Sequence, residues 1–415
     1  MKSIQWAVAV LIVGAATAAW GAGPRNVSFE SRLRLGYNDN VDRVETGREG
    51  STTVTAEAGL TGVARFDTTF LSLRYRAGLR WFDDRRADGS VDWTHSVDFA
   101  FDQAFSRRFS LSLSDAFRYV DRPEILREDG TIERRDSTYI YNTLNGTFSS
   151  VLTTRVRLDL TGRYVLLRYD EDVLAEREDY DTLAGGLTLR GQLAKATSGF
   201  LDGRVERTDY MKAGRSQVDP IDFPGAPDAV RRRVPDRSAD TFSLGVGGEH
   251  VFDPNLVGLL RVGVTHKEYS AANTGSSTGP YVETNLTIAP SPVFRVAVGG
   301  SYSLFQSSLV TFANQRRTAG TLRLGHDVTP RLQVNLTGSV IHSRYDEDES
   351  VRDLAMADVT GGDELAYSVG ARMSLRLGRR NMCWLEAGWT YTDLDSDLRD
   401  DYRQNVVDVA WRFRL

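Results

Sequence analysis

Thr69-Phe70-Leu71-Ser72-Leu73-Arg74-Tyr75-Arg76-Ala77-Gly78-Leu79-Arg80-Trp81 alternates from end to end. Its odd positions carry Leu71, Leu73, Tyr75, Ala77, Leu79 and Trp81. Its even positions include Ser72, Arg74, Arg76 and Arg80. A period of two sends these sets to opposite faces of one β-strand. The pattern recurs outward along the chain. Val156, Leu158, Leu160 and Tyr164 alternate with Arg155, Arg157, Asp159 and Arg163. Leu332, Val334, Leu336 and Val340 alternate with Gln333, Asn335, Thr337 and Ser339. The last such run, Val407, Val409, Trp411, Phe413 and Leu415, alternates with Asp408, Arg412 and Arg414.

Length separates two readings of this alternation. A soluble sandwich also alternates, but its strands are typically about 5 or 6 residues. The present runs are about 10 to 13, the reach of a tilted strand that crosses a bilayer in roughly 9 to 11. Connections alternate in length too. Short ones fall near 66–68, 105–107, 149–153, 192–196, 253–255, 290–292, 328–330 and 378–381. Longer, charged ones fall at 38–50, 83–90, 120–136, 169–179, 211–237, 270–280, 306–316, 346–362 and 393–400. Eight short and nine long connections predict eighteen antiparallel strands in an all-β, up-and-down transmembrane barrel; sixteen or twenty stay open, because alternation is smeared over 139–147 and 256–266. Both termini are then expected on the short-turn, periplasmic side.

The start of the chain fits export. Lys2 precedes an apolar run over 4–19, and Ala19-Trp20-Gly21 is a small-x-small site. Residues 1–21 read as a secretory signal peptide, cleaved after Gly21 or, as second choice, Ala22, and 22–415 as the barrel. A membrane anchor is the alternative, disfavoured by the shortness of the run. The chain of 415 residues has a net charge of −5 and one cysteine, Cys383. One cysteine excludes an intramolecular disulfide framework. The absence of a basic run argues against nucleic acid as a partner.

Aromatic residues gather at strand ends. Tyr37, Trp81, Trp93, Tyr119, Tyr169, Tyr210, Tyr269, Tyr345, Tyr391 and Tyr402 lie beside long loops, and Phe109, Phe200, Phe252, Phe294 and Phe413 near short turns. Two interfacial girdles are expected from them. Arginine facing the bilayer midplane costs about 2–4 kcal/mol, so the polar faces must line a lumen. Arg74, Arg76, Asp98, Arg163, Arg204, Arg323 and Arg372 are the pore-lining candidates, either guiding a solute or bracing the wall by cross-strand pairing. Asp115 breaks the pattern by falling in register with Leu113 and Phe117, which a local β-bulge would resolve. Asp346, Asp348, Asp393 and Asp395 are weak candidates for divalent cations bridging loops to lipopolysaccharide; they lack the glycine and terminal glutamate of an EF-hand, and solvated surface is the better expectation. The five histidines are scattered and no nucleophile motif is present, so neither catalysis nor a cofactor is expected. The longest loop, 211–237, holds four prolines and Arg231 to Arg233. It folds inward as a plug or stays external.

Both ends of the chain carry a resemblance. Asp408, Ala410, Phe413 and Leu415 resemble the C-terminal signal read by the barrel-assembly machinery, with leucine in place of the usual terminal phenylalanine. Leu33-Arg34-Leu35-Gly36-Tyr37-Asn38-Asp39-Asn40-Val41 resembles the opening of outer-membrane β-barrel porin family 2, whose first strand ends in tyrosine and an Asx-Asp-Asn triplet. That resemblance implies association with exopolysaccharide or capsule gene clusters and passage of a polysaccharide across the outer membrane, with periplasmic export components as partners. A general diffusion or uptake porin, and a structural or adhesive barrel with a closed lumen, are the alternatives.

Overall fold

The computed structural model describes residues 25–415 except 42, 84–89, 121–123, 127–131, 135–136, 212–215, 218–231, 234–236, 271–274, 308–311, 313, 347–360 and 379–381. The signal-peptide reading, Asp348 and most of the 211–237 loop, with its choice between an inward plug and an external position, therefore lie outside the described residues. Eighteen long strands form the wall. The first six are β1 (Arg25–Asn38), β2 (Ser51–Arg65), β3 (Thr69–Phe82), β4 (Val91–Ala104), β5 (Phe109–Val120) and β6 (Tyr139–Thr153). The next six are β7 (Val156–Tyr169), β8 (Tyr180–Ala194), β9 (Thr197–Tyr210), β10 (Ala239–Asp253), β11 (Leu256–Tyr269) and β12 (Ser276–Ser291). The last six are β13 (Phe294–Gln306), β14 (Asn314–Asp327), β15 (Leu332–Tyr345), β16 (Gly362–Leu377), β17 (Cys383–Ser396) and β18 (Tyr402–Arg414). Every strand pairs antiparallel with the next, and β18 pairs with β1, so the sheet closes on itself. Closure removes the unpaired edge that a single sheet would expose. The eighteen strands include the two, β6 and β11, whose alternation is smeared in sequence.

The register turns the alternation into two surfaces. Arg74 lies opposite Thr61 and Asp98, and Leu73 opposite Gly62 and Phe99. Leu33, Leu35, Leu183, Leu244 and Trp411 are exposed on the outside of the wall. The apolar surface is thus outward, the reverse of a soluble barrel, as a lipid solvent demands. Among the described residues no helix is long and apolar enough to cross a membrane. One short helix, α1 (Asp172–Glu178), follows β7.

Two sequence expectations are corrected. Tyr169, Tyr210, Tyr269, Tyr345 and Tyr402 are buried inside the long-loop end instead of joining a girdle. Their outward neighbours are charged: Arg168, Asp209, Glu268, Arg344 and Arg403. With a period of two, those charges and the tyrosines cannot share a face, and the inward rings are covered by loops. Phe200 likewise points inward, over the wall position of Gly247. Tyr37, Trp81 and Trp93 remain exposed outside. Asp115 is not relieved by a bulge: its ladders to Phe99 and Leu144 run without a register shift, so it faces outward.

Some outsized side chains are seated on glycines. Asp202, Gly245, Gly263 and Tyr281 occupy one row across β9 to β12. The Tyr281 ring lies across both glycines, and its hydroxyl donates to Asp202 at 3.1 Å. A Cβ at Gly263 would stand 2.3 Å from the Leu244 carbonyl oxygen. The glycines let the ring lie flat against the wall.

Candidate functional site in the lumen

Inward charges arise from the polar halves of the strands, and cross-strand distances put arginines within reach of carboxylates. At the seam where the barrel closes, Arg32 contacts Glu386 and lies 3.9 Å from Glu57. Arg34 and Arg372 stand 3.8 and 3.7 Å from Asp408, and Arg412 stands 3.4 Å from Glu386. This network ties β1, β2, β16, β17 and β18 together. A second group joins Asp98 to Arg76 at 3.2 Å and to Arg118 at 2.5 Å. A third joins Arg261 to Glu283 at 3.1 Å and to Asp202 at 3.4 Å. These pairs brace the wall.

Other inward arginines are left over. Arg74, Arg80, Arg295, Arg323 and Arg376 are exposed on the inward register. None makes an ion pair among the described residues. The carboxylates Glu30, Asp102 and Glu249 are inward and equally unpaired, so the free lumen charges are mainly but not wholly cationic.

The long-loop end is partly filled. Leu174 and Ala175 of α1 pack on Tyr139, Leu167 and Tyr169. The sequence prepares this, because the inward positions of β7 change from Arg157, Asp159 and Arg163 to Val165, Leu167 and Tyr169 near its end. Asp179 accepts the Tyr169 N–H at 2.8 Å and fixes the return of the loop. Glu178 and Arg237 form an ion pair at 3.0 Å, each side chain about 1% exposed. The Arg237 guanidinium lies 4.4 Å from the Tyr210 ring centroid and donates to the Ser307 carbonyl at 3.4 Å. Gln306 donates to the Arg237 carbonyl and accepts from Lys267, both at 3.1 Å. Phe312 packs on Tyr345, with ring centroids 5.2 Å apart. Segments after β7, β9 and β13 therefore meet inside one side of the mouth. Beneath them lies a cavity of about 450 Å³, lined among others by Tyr141, Tyr180, Tyr210, Arg163, Arg204 and Lys267. Thr182, Thr208, Thr241 and Ser301 add hydroxyls.

The Tyr-Asn-Asp-Asn motif closing β1 is a clasp. Asn40 is fully buried. Its Nδ2 donates to the carbonyls of Val44 and Arg403, each at 2.8 Å, and its Oδ1 accepts the Val44 N–H at 3.1 Å. Gln404 Nε2 donates to the Asn40 carbonyl at 2.8 Å. Asp39 accepts the backbone N–H of Asn405 at 2.6 Å and its Nδ2 at 2.8 Å. The first loop is thereby pinned to β18 across the closing seam.

All seven pore-lining candidates stand on the inward register. Arg76 and Asp98 share one ion pair, Arg372 joins the seam network, and Arg163 and Arg204 line the cavity. Arg204 also contacts Glu206. Arg74 and Arg323 carry no carboxylate partner among the described residues and lie on separate stretches of wall, β3 and β14. Of the loop acids, Asp346 is held by Arg316 at 2.6 Å and Arg344 at 3.0 Å. Asp393 accepts from Tyr367 at 2.7 Å, Tyr391 at 2.8 Å and Arg403 at 3.0 Å. Those partners are cations and hydroxyls, and among the described residues no group of three His, Cys, Asp or Glu side chains is placed to hold a metal. Phe413 sits opposite Ser31 and Cys383, and the Leu415 N–H donates to the Phe29 carbonyl at 2.8 Å. Glu178 and Arg237 were not legible as a pair, because 59 residues separate them. The switch to apolar inward residues at the end of β7 was the one local signal.

No curated protein matches the chain. Among solved structures, the crystal structure of Pseudomonas aeruginosa OpdK with vanillate is similar at a TM-score of 0.50 and 10% identity, over 94% of this chain and 99% of that one. A further crystal structure of the outer membrane protein opdK from Pseudomonas aeruginosa has a TM-score of 0.50 and 12% identity over the same shares. At such identities the likeness is one of fold. The family model described as Putative beta-barrel porin 2 matches residues 27–415. Matched from within β1 to the end of β18, the chain is an outer-membrane β-barrel channel and belongs to the Putative beta-barrel porin 2 family.

Proposed function

We propose that this barrel exports an acidic exopolysaccharide or capsular polysaccharide, with its long loops outside the cell and its termini in the periplasm. The observation that carries the reading is the set of exposed inward arginines, Arg74, Arg80 and Arg323 among them, that make no ion pair among the described residues. Within low-dielectric walls such cations focus attraction on an anionic solute. The cavity under the loops suits a saccharide. Its tyrosines offer apolar ring faces with a polar tip, and its threonine and serine hydroxyls can pair with sugar hydroxyls. Under this reading Phe413 and Leu415 are presented to the barrel-assembly machinery, the charged rim beside the long loops meets lipopolysaccharide, and the short-turn end receives polymer from periplasmic export components. The barrel acts as a conduit without catalysis.

A second reading, uptake of small organic anions, is favoured by the narrowed mouth, where Glu178–Arg237 and its neighbours occupy lumen that a polymer would need. Gene deletion separates the two. Export predicts loss of surface or secreted acidic polymer with normal growth on small acids. Normal surface polymer with slowed entry of an organic acid would overturn export in favour of uptake.

A further inference from the structure

Asp115 stands in an unusual place. It faces outward on β5, six residues from Phe109 at one end and four from Tyr119 at the other. At about 3.4 Å per residue, it lies about 20 Å along the strand from the first and about 14 Å from the second. Both distances put it within the hydrocarbon layer. Other outward charges, such as Arg168, Arg207, Asp240 and Asp393, lie within three residues of the long-loop ends of their strands. A carboxylate facing lipid at mid-depth is costly, and such groups usually face a protein partner instead.

The surroundings of Asp115 describe that partner. Asn142 on β6 also faces outward and donates to Asp115 Oδ1 at 2.9 Å. The second amide hydrogen of Asn142 and the second oxygen of Asp115 have no partner among the described residues. One donor and one acceptor therefore remain, side by side on neighbouring strands. Beside them, Gly146, Gly162 and Gly185 form an outward row across β6 to β8, with open space above Gly162. Rows of small residues let membrane-embedded surfaces approach closely, and polar side chains then join them.

We propose that this face of β5 to β8 is the interface between two copies of the chain. Both copies insert with the same orientation, so a two-fold axis must run along the membrane normal, and residues meet at equal depth. Such an axis beside Leu144 brings Asn142 of each copy to Asp115 of the other. The leftover donor and acceptor are then satisfied twice over by one symmetric contact.

Cross-linking in native outer membranes tests this. In a Cys383→Ser background, Leu144→Cys puts a thiol on the proposed axis, and Leu336→Cys puts one on β15, remote from the proposed face; both leucines are 43% exposed. Mild oxidation should give a disulfide-linked band of twice the chain mass for Leu144→Cys and none for Leu336→Cys. Adding Asp115→Leu and Asn142→Leu should cut the yield of that band at least tenfold while heat-modifiable gel migration shows the barrel still folded. No dimer at Leu144→Cys, an adduct of another mass, or a yield unchanged by the leucine substitutions would each overturn the proposal. If the double variant fails to fold, the mass of the Leu144→Cys adduct alone still decides.

Discussion

Replacing Asn40 by alanine tests whether the Tyr-Asn-Asp-Asn motif is a structural clasp. The side chain is 0% exposed and makes three hydrogen bonds, two to Val44 and one to the Arg403 carbonyl. A typical intramolecular hydrogen bond contributes about 0.5–1.5 kcal/mol net, so the three together are worth about 1.5–4.5 kcal/mol. The upper half of that range is expected, because alanine leaves the Val44 N–H and two carbonyls in a site already closed to water. The seam itself is short: β1 meets β18 over nine register pairs, from Glu30 to Asn38, against fourteen with β2. Urea unfolding from lipid vesicles, followed by tryptophan fluorescence and gel migration, reads the effect. The midpoint should fall at unchanged slope, since the surface exposed on unfolding is the same. Asn335→Ala serves as control, because Asn335 faces inward and makes no side-chain hydrogen bond among the described residues. Equal midpoints for Asn40→Ala and wild type would refute the clasp and leave the motif to some other role.

Three further outcomes follow from the same geometry. Arg237→Ala strands Glu178 in a site about 1% exposed, a loss of about 3–5 kcal/mol for a buried pair; the loops should open, seen as raised single-channel conductance and faster proteolysis after α1, and unchanged values for both would count against the packed mouth. Arg74→Glu with Arg323→Glu should shift the reversal potential in a salt gradient toward cations. The shift should shrink as the Debye length falls from about 10 Å at 0.1 M salt to about 3 Å at 1 M, and a potential indifferent to the substitutions would show that these side chains do not face the conducting path. Gly263→Ala sets a methyl 2.3 Å from the Leu244 carbonyl; folded, heat-modifiable barrel should fall severalfold, whereas Gly191→Ala, with open space at the Cβ position, should assemble normally.

Much of the wall could be read before any coordinates. Alternation in Thr69 to Trp81 assigns Arg74 and Arg76 to one face and Leu73 and Tyr75 to the other, because strand geometry alone fixes that relation. The short and long connections predict eighteen strands for the same local reason. At Tyr169 and Tyr345 the sequence pattern points to a girdle, whereas the rings are buried inside. Their type suits an interface, but only the outward placement of Arg168 and Arg344 and the loops above the rings decide that they turn inward.

Sequence by itself determined the class of this protein, the polar inward face and the family, since each rests on local period or a contiguous motif, while pairing along the whole sheet settled eighteen strands over sixteen or twenty. The tertiary structure alone decided which inward charges cancel. Arg32 meets Glu386 across the seam, a separation of 354 residues, whereas Arg74 and Arg323, of the same type and phase, meet no carboxylate among the described residues. It also decided that Glu178 and Arg237 pair inside one side of the mouth and that Asp115 shares an outward face with Asn142. Such pairings depend on register between strands and on where the barrel closes, and those are set by the whole sheet at once.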